Sequence, residues 1–310
     1  MVPYLSIFRA FRIFALAIFL PVVTGLVVFA QEIPEDLLED EHVREEFGVN
    51  DFTTPSIRKI FEDLNSLRPL PYDQLKRKVP ETTPKDRSKL ALALGGLIAD
   101  GFLAVEAEKL LDLEPVGRAL LKHAKVLGAG TRLSEHTNSI LEHGALGDWS
   151  GLKTELAKTQ KDVEKEMVLI RDVDAAHLIS LGGWLRALEI GCAASLDPFD
   201  AKKAGVLARA DVAEYFVESI KTLEDRVQDK EHMKRIATGL EEIYTMLDVP
   251  ESKAFTEAEV KTLMAKVQEM NGIALEPAKK SVAATPPKSD KGPATPDLTS
   301  ETPKTVPADQ

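Results

Sequence analysis

The run from Leu90 to Val105 constrains the fold more than any other stretch: 16 residues, apolar on nearly every face, with one charge at Asp100. A helix of that composition has no side to turn to water, so it belongs in the middle of something. It is shorter than the roughly 20 apolar residues that cross a bilayer, and it carries a charge where a bilayer helix avoids one. The segment Lys89 to Leu113 therefore reads as a buried helix of a soluble bundle.

A second segment, Asp174 to Leu196, has the same character, and the two share a motif. Leu94-Gly95-Gly96-Leu97-Ile98 is echoed by Leu181-Gly182-Gly183-Trp184-Leu185, and each apolar helix is followed by an acid-proline pair, Glu114-Pro115 and Asp197-Pro198. Two readings fit the echo: a duplicated helical hairpin with copies at 86–172 and 173–271, or a generic close-packing motif. A glycine costs a helix about 1 kcal/mol relative to alanine, and close approach of a neighbour is the usual reason to keep one. Lys89, Ala93, Gly96, Asp100 and Ala107 lie along one stripe of the first helix, which places Asp100 on a surface of small residues. The two helices are expected to pack together through these faces, with Gly96→Leu and Gly183→Leu both destabilising.

The rest of the chain reads as amphipathic helices. Short helices are expected at Ser56–Leu67 and Tyr72–Val79, and Thr83-Pro84 with Asp86 announces the first apolar helix. Glu114-Pro115 is expected to start a helix that Gly128 stops, and a further helix covers Thr131 to Leu146. Asp148 caps a long helix with Trp149, Leu152, Leu156, Val163, Met167 and Ile170 along one side. Helical spacing recurs over Asp200–Val227 and over Lys230–Leu247. A last helix opens on Thr256 and Glu259, which have capping-box spacing, and is expected to end at Asn271-Gly272. No segment alternates with period two, so the predicted class is an all-α multi-helix bundle around two central apolar, glycine-rich helices, without sheet.

Both ends fall outside that domain. Arg9 and Arg12 precede the apolar run Ala15 to Phe29, and Val28-Phe29-Ala30 has the small residues of an export cleavage site, which predicts a signal peptide over 1–30. The alternative is an uncleaved anchor over Ile13–Ala30, the one route by which a membrane would hold the chain. Either way the body is exported, to the periplasm or beyond the cell. Residues 31–54 form an acidic lead-in, and 273–310, with three Thr-Pro pairs, has too few large apolar residues to build a core and is expected to be disordered. Cys192 is the only cysteine, so the domain of 55–272 has to be held by its core and not by internal disulfides.

Charge and motifs narrow the function. Cleavage after Ala30 removes two arginines and takes the formal charge from −11 to −13, which disfavours phosphate-directed binding to nucleic acid. No phosphate-binding glycine loop, paired-cysteine metal motif, nucleophile elbow or HExxH pattern occurs. Acid-x-x-His spacings, which set both side chains on one helix face as carboxylate-bridged metal bundles require, occur at Glu39/His42, Asp174/His177 and Asp229/His232. The last two pairs are the candidate metal ligands, for a metal the sequence does not specify. His123, His136 and His143 form a candidate histidine cluster. Asp100, His177, Arg186 and Glu189 are titratable residues inside the apolar helices, and an Asp100–Arg186 ion pair would offset their burial. The sequence therefore points to a binding or scaffolding module with a protein partner, and secondarily to a metal-binding bundle.

Overall fold

The computed structural model describes residues 62, 64–129, 136, 139–140, 142–250 and 253–276, and among them the fold is all-α. The signal segment, the acidic lead-in and the tail beyond 276 lie outside the described residues, as do most of 56–67 and much of 131–146. A 3-10 turn at Asn65–Leu67 precedes α1 (Tyr72–Leu75), α2 (Arg87–Glu106), α3 (Leu110–Leu127), α4 (Trp149–Leu169) and α5 (Val173–Leu196). Then come α6 (Ala201–Gly205), α7 (Ala210–Lys221), α8 (Asp225–Gln228), α9 (Glu231–Leu247) and α10 (Glu257–Leu275). An isolated bridge pairs Leu196 with Phe199, and no strand occurs among the described residues.

Helices α2 and α5 form the axis. Asp86 caps α2 by accepting from the Lys89 N–H at 3.1 Å, and Asp172 caps α5 by accepting from Ala175 N–H at 3.1 Å. The two run in the same direction: Arg87 reaches Asp172 at their starts, and Asp100 meets Arg186 further along. Their contact is reciprocal, with Gly95 against the backbone of Ile179 and Gly182 against the backbone of Leu92, each partner lying three residues before the other helix's glycine. By length and composition α2 could cross a bilayer, yet 89% of its most apolar window is buried inside the bundle. Helix α10 lies against both α2 and α5; α3 packs on α2; α4 touches both; α7 pairs with α9, which leans on α10. One continuous apolar core runs through all of these from Leu64 to Ala274.

Several boundaries differ from the sequence reading, and of the helix expected over Tyr72–Val79 only Tyr72–Leu75 is helical. The first apolar helix stops at Glu106, not Leu113, because the Lys109 N–H turns back to the Ala104 carbonyl at 2.8 Å across Glu108, whose φ is 56°. This is the hairpin-like helix end that glycine usually makes; at the end of α3, Gly128 makes it with φ 103°. Helix α3 therefore starts at Leu110, and Pro115 sits inside it, where the carbonyl it leaves without a donor belongs to Leu111, a 91% exposed residue. The helical spacing over Asp200–Val227 is divided among three helices, α6, α7 and α8. At the far end, α10 runs through Asn271-Gly272 to Leu275 and buries Ile273 and Ala274.

The caps and stripes follow the sequence more closely. Asp148 accepts from the Gly151 N–H at 2.9 Å, and Met233, Ile236, Leu240, Ile243 and Leu247 are all buried along α9. Thr256 and Glu259 form a complete capping box, each side chain meeting the other's backbone N–H. Removing the hydroxyl in Thr256→Ala is expected to cost about 1 kcal/mol, read as a lower urea midpoint with unchanged slope.

Candidate functional site

The polar groups inside the apolar core converge where α2, α5 and α10 meet. Arg186 has no exposed side-chain surface; its Nε donates to Asp100 Oδ1 at 2.7 Å and its Nη2 to the Leu75 carbonyl at 2.5 Å. Its Nη1 lies 2.7 Å from Glu189 Oε2 but off the direction of a hydrogen bond, so that contact is an ion pair alone. Arg77 comes to Asp100 from the other side, with Nη2 at 2.5 Å and Nε at 3.1 Å. The Asn271 amide donates to Glu189 at 2.8 Å and to the Leu185 carbonyl at 3.3 Å. Two guanidinium and two carboxylate groups balance. Burial works against the charge of Arg186, but Asp100 and Glu189 outweigh it and hold its pKa above the usual value.

The stripe through Ala93, Gly96 and Asp100 is not the close seam with α5, although Asp100 meets Arg186 from it. It looks toward Arg77, Pro80 and the last turns of α10, with Asn271 and Ala274 opposite. The close seam with α5 is made by Gly95 and Gly182, whose Cβ positions are blocked by the facing helix's carbonyls, whereas a Cβ at Gly96 would stand 3.9 Å from the Gly182 oxygen.

At the start of α2 a second polar cluster borders a cleft of about 910 Å³ between residues 78–86 and the ends of α9 and α10. Ser88 Oγ lies 2.5 Å from Asp86 Oδ1 and 2.8 Å from His232 Nε2, and Lys230 reaches Asp86 at 2.8 Å. Serine, histidine and aspartate are therefore together, but not in the order nucleophilic catalysis needs. There the acid orients the base through Nδ1 and leaves Nε2 to take the serine proton. Here Asp86 approaches Nε2 at 3.3 Å, on the same ring nitrogen as Ser88, and accepts the serine hydroxyl itself. Desolvation opposes the charge on Asp86, but Lys230, Ser88 and the Lys89 N–H outweigh it and keep the carboxyl ionised well below the usual range, as a helix cap should be. Four cations (Lys78, Lys85, Lys89, Arg235) and four carboxylates (Glu81, Asp86, Glu231, Glu276) line the cleft, so it has no net charge with which to select an anion or a cation.

The candidate metal ligands stand apart. Asp174 accepts from the Glu224 N–H at 3.1 Å, and burial raises its pKa. His177 Nδ1 lies 3.3 Å from the Tyr215 hydroxyl, and desolvation lowers its pKa, leaving the ring neutral. Asp229 pairs with Lys234 at 3.1 Å on the surface, and His232 turns to the α2 cap. Among the described residues no group of three or more His, Cys, Asp or Glu could hold a metal ion. Glu39 and His42 lie outside the described residues.

The three histidines around 123–143 do not cluster. His123 is fully buried and bonds the Ala119 carbonyl through Nδ1 at 2.7 Å. Its Nε2 has no hydrogen-bond partner, consistent with a neutral ring whose pKa burial lowers. His136 and His143 instead meet carboxylates of α4. Cys192 is buried, which pushes its thiol pKa up and makes it inert. Set beside known proteins, the chain matches no family model, no curated protein and no solved structure.

Sequence reasoning did not find Arg77, Asn271 or Ser88. Arg77 sits in the polar run Lys76-Arg77-Lys78, which reads as solvated. Asn271-Gly272 reads as a helix stop, and Ser88 as an ordinary first-turn residue.

Proposed function

We propose that this chain is an exported, non-enzymatic binding or scaffolding module that works through its surface. What supports this reading is where the reactive side chains are engaged: those in the core and beside the cleft are bound to one another and join helices. Arg186 ties α5 to α2 and to the residue-75 turn, and the Ser88 hydroxyl is bonded to the cap of its own helix. A group that already has a charged partner inside the protein would have to lose it to bind a substrate, at a cost of a few kcal/mol.

Two measurements on purified full-length protein test this. Elemental analysis should find no stoichiometric iron, manganese or zinc; a stoichiometric metal lost on His177→Ala would establish the metal-binding alternative instead. A serine-directed fluorophosphonate should leave Ser88 unlabelled, and labelling abolished by His232→Ala would make the chain a hydrolase. Export is tested separately by the mass of the native protein, which should begin at Gln31. A full-length chain retained in the membrane fraction would replace the cleaved signal by an anchor.

A further inference from the structure

Two histidines that precede α4, His136 and His143, are fastened to it by carboxylates. His136 lies between two carboxylates two turns apart on one face of α4, with Nδ1 2.5 Å from Glu155 Oε1 and Nε2 2.7 Å from Asp162 Oδ2. With a carboxylate at each nitrogen, both nitrogens donate only when the ring is an imidazolium; a neutral ring leaves one carboxylate facing a lone pair. Seven residues on, His143 Nδ1 lies 2.9 Å from Asp148 Oδ2, the carboxylate that caps α4. The helix makes room for this ring: a Cβ at Gly151 would collide with His143 Nδ1 and with the Asp148 carboxylate.

The face of α4 beneath this contact is polar although covered, with Glu155 and Thr159 both buried. An apolar contact would hold at any pH, whereas this one depends on charge. The charged groups that meet there are Glu155, Lys158 and Asp162 on the face of α4 and Asp148 at its cap, with Lys158 at 3.4 Å from the same Glu155 carboxylate as His136. Lys158 is 60% exposed and offers Glu155 a second partner when His136 loses its charge.

We propose that His136, held between Glu155 and Asp162, is a proton-dependent latch that covers the polar face of α4 in mildly acidic surroundings and uncovers it in alkaline ones. Desolvation alone would lower the pKa of His136, but its hydrogen bonds to Glu155 and Asp162 outweigh it and raise the pKa above 6.5. A histidine raised in the fold adds stability that is complete below the unfolded value and is lost as pH rises through the folded one. The latch is therefore closed below about pH 6.5 and weakens above it. For a chain read as exported, that range is one its surroundings can cross. The face exposed by release, Glu155, Thr159 and Asp162, would present two carboxylates and a hydroxyl to a basic partner.

The test uses the full-length chain. A proton NMR titration of the His136 ring, assigned with His136→Gln, should give a midpoint above 6.5, and Glu155→Gln with Asp162→Asn should bring it below that value. Amide exchange over residues 152–163, corrected for the intrinsic pH dependence, should speed up about fivefold between pH 6.0 and 8.5, the difference between a charged and a neutral hydrogen bond. The Glu155→Gln/Asp162→Asn double variant should show no such pH dependence, and His136→Arg, charged at both pH values, should keep its protection. A midpoint at or below 6.5 in the unaltered chain would overturn the proposal, as would exchange over 152–163 that is equally pH-dependent in the double variant.

Discussion

Gly182→Ala is expected to cost more than about 3 kcal/mol, above the usual 1–3 kcal/mol of overpacking, because the obstacle is backbone. A Cβ at Gly182 would overlap the Leu92 carbonyl oxygen and come within 2.8 Å of its carbon and 2.9 Å of Leu92 Cα. Gly95→Ala meets the same obstruction, overlapping the Ile179 oxygen and standing 2.7 Å from the Gly183 nitrogen. No side chain can swing away from either position, so α2 and α5 would have to separate along the whole axis. For a domain of this size each kcal/mol shifts the melting temperature by about 2–4 °C, giving a fall of roughly 6–12 °C by circular dichroism. Gly96→Ala is the control: its nearest neighbours are the flexible Arg77 Nη2 at 3.3 Å and the Gly182 oxygen at 3.9 Å. Alanine's advantage of about 1 kcal/mol in helix propensity should leave that variant near or above the parent. Equal melting temperatures for the three variants would mean that α2 and α5 do not meet at this seam.

The displaced seam shows where sequence reading stops. A helix apolar all round has no polar side to indicate its orientation, so in the sequence only the small residues of the Gly96–Asp100 stripe point to a face, and they point it at α5. In the fold those residues accommodate Arg77 and the end of α10, and the neighbouring glycine faces α5. The caps at Asp86, Asp148 and Thr256 were legible because each is a local bargain between one side chain and its own first turn. The break after Glu106 was not, since the apolar pattern runs on through Leu110, Leu111 and Leu113. The stop is made by Glu108, a residue with no intrinsic preference for φ 56°. The pairing of Asp100 with Arg186 could be inferred because two charges in two otherwise apolar helices had to be compensated. Arg77 and Asn271, which complete the cluster, come from stretches whose local composition suits solvent equally well.

That cluster carries the second large effect. Asp100→Ala removes the carboxylate that Arg186 and Arg77 share, and Arg186, with no exposed side-chain surface, cannot turn to water. Breaking a buried pair in this way typically costs about 3–5 kcal/mol. Arg77 is about one-quarter exposed and can rehydrate, so most of the loss belongs to Arg186. Arg186→Met should be milder: Asp100 keeps Arg77, the Leu75 carbonyl loses its donor, and Glu189 loses its cation but keeps the Asn271 amide and, unlike a guanidinium, can become neutral by taking up a proton. The double variant Asp100→Ala/Arg186→Met removes the stranded charge and should be more stable than Asp100→Ala alone, an inversion of ordinary additivity that denaturant titration can read directly. If the double variant is the less stable of the two, Arg186 is finding solvent or another anion once Asp100 is gone, and the charge at the centre of the bundle is not sealed in. If the inversion appears, the cluster's role is to fix which faces of α2, α5 and α10 meet: an apolar residue in place of Arg186 would stabilise any rotation of α5 about its axis, whereas the guanidinium is satisfied in one.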